Sequence, residues 1–252
     1  MITKALILAF VLNICHISHG RLTPDFIHPC KEMSRECLTR ATQEAIPEFV
    51  KGLPQFDIPP LDPFTIEKLP IQLNGITVTF HKGAVTGFRD CIVDNVEYDI
   101  RKRKFDLEFH CNITVKGQYE AKGKLLLFQI DGSGDSQIDL TNIRVKLDAY
   151  TKYFKDEQGL QHLAIKNYTY DFDYGDNVFF QIENLFRESQ EWSERVLKYL
   201  NQNWREVTEE LGSPVIEYAV NLVVKTVMKF FHAVPCLELV DGEIPELHDW
   251  ND

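Results

Sequence analysis

Residues 215–231 constrain the fold more than any other part of the chain, because they are apolar on nearly every side of a helix. The polar residues that interrupt this segment are mainly Glu217, Asn221, Lys225 and Lys229. A helix of this composition has to be covered by protein over most of its surface. We therefore expect a sheet that bends around it.

Residues 64–185 have the period of two that is typical of β-strands. Apolar and polar residues alternate over residues 76–80, 105–115, 143–147 and 168–174. Glycines within and between these segments favour bulges and bends. Because the helical period begins only after the strands, we predict an α+β fold in which a strongly curved antiparallel sheet wraps a long C-terminal helix.

Two further helices are predicted on either side of the strand region. Residues 32–50 have apolar positions at helical spacing, and Pro47 is expected to kink or end that helix. Residues 192–211 carry one apolar stripe along a single helix. Gly212, Ser213 and Pro214 then supply a helix stop, an N-cap and a first-turn proline for the last helix.

Residues 1–20 have the pattern of a secretory signal peptide. Lys4 precedes an apolar run over residues 5–14, and Ser18 and Gly20 are small residues at the end of the segment, where a signal peptidase cleaves. We expect a secreted, extracellular protein in which residues 21–252 form a single domain.

Secretion favours disulfide bonds, because oxidising compartments let them form and persist. Cys30 and Cys37 lie close together beside the first predicted helix, which favours a local bridge. Cys236 is then either free or paired in place of another cysteine.

A second bridge is predicted between Cys91 and Cys111. A hairpin that turns at residues 100–103 would place these two cysteines opposite each other. The alternation slips near Asp94 and Asn95, however, and a one-residue slip would point one thiol to the other face of the sheet.

Two sequons, at Asn112 and Asn167, predict N-glycosylation in a secreted protein. Asn112 occupies a polar position of the alternating segment 105–115, so it belongs to the wet face of its strand. The alternative is that either sequon occurs by chance.

The charge balance and the motifs exclude several function classes. The net charge of the chain is −11, so binding to nucleic acid is not expected. Residues 131–135 resemble the start of a calcium loop, but Ser136 and Asn142 stand where a glycine and a glutamate are required, which favours a tight turn between strands. We find no pattern of a metal site, a cofactor site or an enzyme active site.

One basic block lies at the tip of the predicted hairpin and consists of Arg101, Lys102, Arg103 and Lys104. It is either a solvated turn or a surface for transient contact with a membrane or a receptor.

The inward face of the predicted sheet and helix has two alternative functions. This face either packs a filled core or lines a hollow one, and the periodicity of the residues does not distinguish the two alternatives. The candidate lining residues are Leu107, Phe109, Ile143, Val145, Tyr170, Phe172, Val220 and Val224. Tyr170 and Tyr174 are candidates to orient the polar end of a ligand.

Several short motifs, taken in order, resemble those of the insect Takeout and juvenile-hormone-binding proteins. They extend over the whole chain after residue 20. The motifs are Cys30 with Cys37, Gly52-x-Pro54, Ile58-Pro59-Pro60-Leu61-Asp62-Pro63, Gly117-x-Tyr119-x-x-x-Gly123, Gly132-Ser133-Gly134, Leu200-Asn201-x-Asn203-Trp204 and Val234-Pro235.

The resemblance implies a TULIP-like fold, in which a long helix and a curved sheet enclose an apolar tunnel. It also implies a disulfide between Cys30 and Cys37. Members of this circadian-linked family are secreted carriers of small lipophilic molecules in haemolymph or other extracellular fluid, and they are not enzymes.

We therefore expect a monomeric carrier that binds a terpenoid, a fatty-acid-like molecule or a similar ligand, with no cofactor. The alternative is a secreted protein with a filled core that acts through its surface on a receptor or a membrane.

Overall fold

The computed structural model of the protein describes residues 21–125 and 127–241. The predicted signal peptide, residues 1–20, lies outside the described residues. Within the described ranges, every helix is too short or too polar to cross a membrane.

Helix α1, Arg35–Phe49, precedes the strand region and contains Pro47 in its last turn. The strands are β1 Phe64–Leu73, β2 Ile76–Thr86, β3 Ile92–Asp99, β4 Lys104–Leu125, β5 Phe128–Lys155, β6 Gln161–Asp173 and β7 Asn177–Ile182. The later helices are α2 Gln190–Gln202, α3 Trp204–Leu211, α4 Ser213–Ala233 and α5 Cys236–Leu239. This order confirms the α+β class.

The strands of the described chain form one antiparallel sheet. Its main path runs β1-β2-β4-β5-β6, while β3 pairs with the first half of β4 and β7 with the first half of β5. Helix α4 contacts both β6 and β1, the two ends of this path. A sheet whose two ends meet the same helix has to curl around it, which confirms the predicted wrapping of the C-terminal helix.

The β3–β4 hairpin turns at residues 100–103, as predicted, and the structure joins Cys91 to Cys111. The predicted slip in the alternation is also present, because the ladder changes register between Val93 and Asn95. A bulge inserts one extra residue and then restores pairing. The two thiols therefore still meet.

The structure also joins Cys30 to Cys37, which ties the N-terminal segment to the first turn of α1. Ser34 is the N-cap of this helix, and its Oγ accepts a hydrogen bond from the Cys37 amide at 3.3 Å. Cys236 is free and buried, and burial raises the pKa of its thiol to about 11.

The predicted turn at residues 131–135 is wrong, because these residues lie within β5. Gly132 faces the chain segment that leads to α2. A Cβ at this position would lie 2.6 Å from the Asn184 carbonyl oxygen and 2.7 Å from that of Leu185. Glycine is needed here for a close approach of two backbones and not for a turn. Within the described ranges, no cluster of His, Cys, Asp and Glu side chains could hold a metal ion.

The predicted single helix over residues 192–211 is divided into α2 and α3 at Asn203. Asn203 has non-helical dihedral angles (φ −116°, ψ 31°), and its Nδ2 donates a hydrogen bond to the Tyr199 carbonyl oxygen at 2.8 Å. This bond satisfies a carbonyl at the end of α2. Gly212 separates α3 from α4 as predicted, although Ser213 is the first residue of α4 and not its N-cap.

Amide side chains from two helices satisfy the outer edges of the short strands β3 and β7. Asn201 of α2 accepts from the Phe180 amide at 2.7 Å and donates to the Phe180 carbonyl at 2.8 Å. Gln43 of α1 accepts from the Val93 amide at 2.7 Å and donates to the Cys91 carbonyl at 3.0 Å. Each amide thus replaces a neighbouring strand and blocks edge-to-edge pairing with another chain.

We expect the substitution Asn201→Leu to lower the free energy of unfolding by about 1–3 kcal/mol, because it leaves the buried amide and carbonyl of Phe180 without partners. Urea unfolding measures the change. Gln202→Leu, at an exposed position of the same helix, is the matched control. Equal unfolding free energies for the two variants would contradict this role of Asn201.

Candidate functional site

A cavity of about 260 Å³ lies between the sheet and helices α2, α3 and α4. Its volume is just below the roughly 300–1,000 Å³ of typical small-molecule sites. The lining residues of the sheet are Ile66, Leu69, Ile71, Leu73, Ile76, Val78, Phe80, Val115, Tyr119, Ala121, Leu125, Ile130, Ser136, Ile138, Leu140, Val178, Phe180 and Ile182. The lining residues outside the sheet are Tyr174, Leu185, Leu200, Val207, Thr208, Leu211, Gly212, Val215 and Ile216.

Strand and helix periods explain how these residues reach one space. Tyr119 and Ala121 of β4 and Ser136 and Ile138 of β5 are each two positions apart, so each pair shares the inner face of the sheet. The helices contribute their apolar stripe, the one recognised in the sequence over residues 192–211. The cavity thus lies where the inner face of the sheet meets that stripe.

One wall of the cavity depends on two glycines beneath an aromatic ring. The ring of Phe80 covers Gly83 and Gly117, and a Cβ on Gly117 would lie 2.7 Å from its nearest ring carbon. Neither glycine lines the cavity, whereas Phe80 does. The absence of side chains at both positions lets the ring lie flat against the sheet and leaves the space in front of it open.

Most of the polar side chains in the lining are already bonded to the backbone. The Tyr119 hydroxyl donates to the Glu183 carbonyl at 2.5 Å, and Ser136 donates to the Gly117 carbonyl at 3.1 Å. Thr208 donates to the carbonyl of Trp204 at 2.9 Å. Burial raises the pKa of Tyr119 to about 12, so its hydroxyl stays protonated.

Tyr174 is the exception. Its hydroxyl lies against Gly212, where a Cβ would overlap the phenol oxygen, and it has no hydrogen-bond partner among the described residues. Burial, with a smaller contribution from the Glu209 carboxylate, raises the pKa of Tyr174 to about 12. Tyr170 and Tyr174 are the residues predicted from the sequence to orient a ligand. Of these two, only Tyr174 is in the cavity lining.

Six of the eight residues predicted to line a tunnel lie elsewhere on the same inner face of the sheet, and the other two lie on α4. Phe109, Val145 and Phe172 form one row across β4, β5 and β6. Leu107 and Tyr170 flank Leu147 in the next row. Ile143 packs with the Cys91–Cys111 bridge, and Val220 and Val224 are buried on α4.

None of these eight residues borders the 260 Å³ cavity. The cavity lies on the predicted face of the sheet, but it is at a different position along the strands from the eight predicted residues. The alternation of residues identifies a face of a sheet and does not say which stretch of it is left uncovered.

Two of the four basic residues at the hairpin tip form ion pairs with acidic neighbours. Lys102 pairs with Asp99 at 3.2 Å, and Lys104 pairs with Asp106 at 2.5 Å and with Asp148 at 3.3 Å. These pairs favour the solvated-turn alternative over a docking surface at Arg101, Lys102, Arg103 and Lys104.

Both sequon asparagines are exposed. The Oδ1 atom of Asn112 accepts a hydrogen bond from the Asn142 amide at 2.8 Å, which leaves Nδ2 for a glycan. Asn167 lies at a register shift between β5 and β6. Glycosylation at Asn112 and Asn167 stays a prediction.

The curled sheet, the helix across its ends and the apolar cavity together define a class of hollow α+β binding protein. A family model for the haemolymph juvenile hormone binding protein (JHBP) family matches residues 6–241. The chain belongs to this family.

Individual relatives agree with this assignment. The crystal structure of Takeout 1 from Epiphyas postvittana superimposes with a TM-score of 0.80, with 35% sequence identity, 86% of this chain and 99% of that chain covered. The circadian clock-controlled protein daywake of Drosophila melanogaster is 22% identical over 91% of this chain and 92% of its own length. Juvenile hormone-binding protein from Manduca sexta is 23% identical over 54% of this chain and 60% of its own length. The family consists of binding proteins.

The contact between Tyr174 and Gly212 can be tested by a double-mutant cycle. We expect Gly212→Ala to destabilise the protein by about 1–3 kcal/mol, because the new methyl group overlaps the Tyr174 hydroxyl. Gly212 has helical dihedral angles (φ −77°, ψ −25°), which alanine adopts readily, but the added Cβ would also lie 2.6 Å from the Thr208 carbonyl oxygen, so part of the loss does not depend on Tyr174.

Tyr174→Phe removes the overlapping oxygen, and we expect it to recover part of the loss in the double variant. Recovery is partial because the ring carbon beneath the hydroxyl would still be only 2.7 Å from the added Cβ. Urea unfolding of the four proteins measures the coupling. Strictly additive changes would show that the two residues do not touch.

Proposed function

We propose that the protein is a secreted carrier that binds a lipophilic small molecule in the cavity between the sheet and helices α2, α3 and α4. The observation that carries the proposal is the apolar lining of a cavity of about 260 Å³. A packed core has few voids larger than a water molecule, so a space of this size is costly unless a ligand occupies it.

The energetics allow useful affinity. Burying about ten methylene groups at roughly 0.8 kcal/mol each stabilises a complex by on the order of 8 kcal/mol. Association costs about 4–15 kcal/mol, so burial alone does not ensure tight binding. The fit of ligand to cavity then decides which molecules are carried.

Secretion is supported by the sequence of residues 1–20 and by the two disulfides, Cys30–Cys37 and Cys91–Cys111, which are typical of oxidising compartments. The family is named for haemolymph proteins. We propose an extracellular carrier that takes up and releases its ligand unchanged, acts as a monomer and needs no cofactor.

Native mass spectrometry of the secreted protein, followed by solvent extraction, tests whether the protein contains a bound small molecule. We expect a stoichiometric lipophilic molecule that is lost on denaturation. A protein that arrives empty, and stays empty when offered terpenoids, fatty acid esters and hydrocarbons, would contradict the carrier function and favour the alternative in which the surface acts.

The position of the ligand is tested by filling the cavity. We expect Ile138→Trp to weaken binding of the fluorescent probe N-phenyl-1-naphthylamine at least tenfold, about 1.4 kcal/mol, because the indole occupies ligand space.

Leu147→Trp is the matched control, because Leu147 is on the same strand, on the same inner face and also partly buried, but outside the cavity. It should bind the probe like the parent protein. The reverse result would place the ligand beside Leu107 and Tyr170, as the sequence prediction has it. Circular dichroism establishes that both variants fold.

A further inference from the structure

The turn that joins β4 to β5 is apolar and exposed. β4 ends at Leu125 and β5 begins at Phe128, so two leucines connect the two long strands. Short hairpin turns are usually built from Gly, Asn or Asp, which supply the backbone conformations of a turn. Leu127 is 84% exposed, more than the other large hydrophobic residues of the described ranges. An apolar side chain gains free energy when it leaves water, so this turn is suited to enter an apolar medium.

Basic side chains lie beside this turn. Lys122 and Lys124 are exposed near the end of β4, and their spacing of two places both on the outer face of the sheet. Asp131 lies 3.9 Å from the Lys122 Nζ and 3.5 Å from the Arg187 Nε, whereas Lys124 forms no ion pair with the residues that the structure describes. Glu210 of α3 reaches the same end of the sheet, where it accepts a hydrogen bond at 2.9 Å from the amide side chain in the β1–β2 turn. The cations of this group outnumber its carboxylates, in a chain with a net charge of −11.

The cavity extends to the same end of the sheet. Leu125, the last residue of β4, lines the cavity, and so do Leu73 and Ile76 on either side of the β1–β2 turn. The amide of Lys124 donates a hydrogen bond to the Gly75 carbonyl at 2.7 Å, which joins the two turns. The exposed apolar turn is therefore continuous with the wall of the cavity.

We propose that the β4–β5 turn docks the protein on a lipid membrane with anionic headgroups, with Leu127 among the acyl chains and Lys122 and Lys124 at the headgroups. An apolar side chain beside basic ones favours binding at the membrane interface, and a single small element of this kind binds weakly and reversibly. Reversible attachment suits a carrier, because the carrier has to leave the membrane again. The docking surface goes beyond the proposed carrier function, since it adds the place at which cargo enters or leaves.

Sedimentation with vesicles tests the docking of the secreted, disulfide-bonded protein. The vesicles consist of phosphatidylcholine alone or of phosphatidylcholine with about one quarter phosphatidylserine. We expect Leu127→Ser to weaken binding to the mixed vesicles about tenfold, because it removes the side chain that leaves water. The double variant Lys122→Gln and Lys124→Gln should weaken this binding about twentyfold, close to fivefold for each lysine. It should not change the weaker binding to phosphatidylcholine alone.

Matched controls lie elsewhere in the chain. Leu237→Ser changes a leucine that is 55% exposed in α5, beside β6. The double variant Arg101→Gln and Lys102→Gln removes two cations from the turn at the opposite end of β4. Both controls should bind the mixed vesicles like the parent protein. Leu127→Ser should also bind N-phenyl-1-naphthylamine like the parent protein, because Leu127 does not line the cavity.

Three results would overturn the docking surface and leave the carrier function in place. The first is a parent protein that binds neither kind of vesicle. The second is loss of vesicle binding in the variant of Arg101 and Lys102 but not in the variants of the β4–β5 turn. The third is a dimer of the parent protein that Leu127→Ser abolishes, without any binding to vesicles, because a second copy of the chain would then cover the turn.

Discussion

The pairing of β4 with β5 is the interaction on which the rest of the structure depends. β5 has 28 residues and would be about 90 Å long if it were straight, whereas α4 has 21 residues and is about 32 Å long. No single helix can cover the inner face of so long a ladder. The sheet curls, and α2, α3 and α4 together cover its inner face. The cavity lies under the junction of α3 and α4, where Leu211, Gly212 and Val215 line it.

This arrangement explains why the fold could be predicted from the sequence but the position of the cavity could not. The alternation predicts which residues of a strand share one face, because the side-chain period of a strand is fixed by its backbone. Phe109 and Tyr119 both lie on that face of β4, yet only Tyr119 borders the cavity. The difference depends on which stretch of the sheet the helices cover when they change direction at Asn203 and Gly212. The helix break at Gly212 has a local signal in the sequence, but its position over the sheet is a long-range property that has none. The turn predicted around Gly132 is wrong for a related reason: a turn and a close crossing of two backbones both favour glycine.

The structure gives physical reasons for motifs that were recognised only by resemblance. In Leu200-Asn201-x-Asn203-Trp204, the first asparagine takes the place of a missing strand beside Phe180, and the second ends α2. Leu200 is buried and lines the cavity. The motif therefore fixes the path of the helices over the sheet, and through that path the position of the cavity. Its connection with ligand binding is indirect.

The two glycines under Phe80 would let residues outside the cavity lining alter the capacity of the proposed carrier. A side chain at Gly83 or Gly117 would overlap the Phe80 ring, which lines the cavity, so residues outside the lining help to set the room that a ligand of the proposed site would have. Selection on such hidden positions can alter the range of accepted molecules while every contacting residue stays the same. Two relatives with identical linings can therefore differ in what they carry.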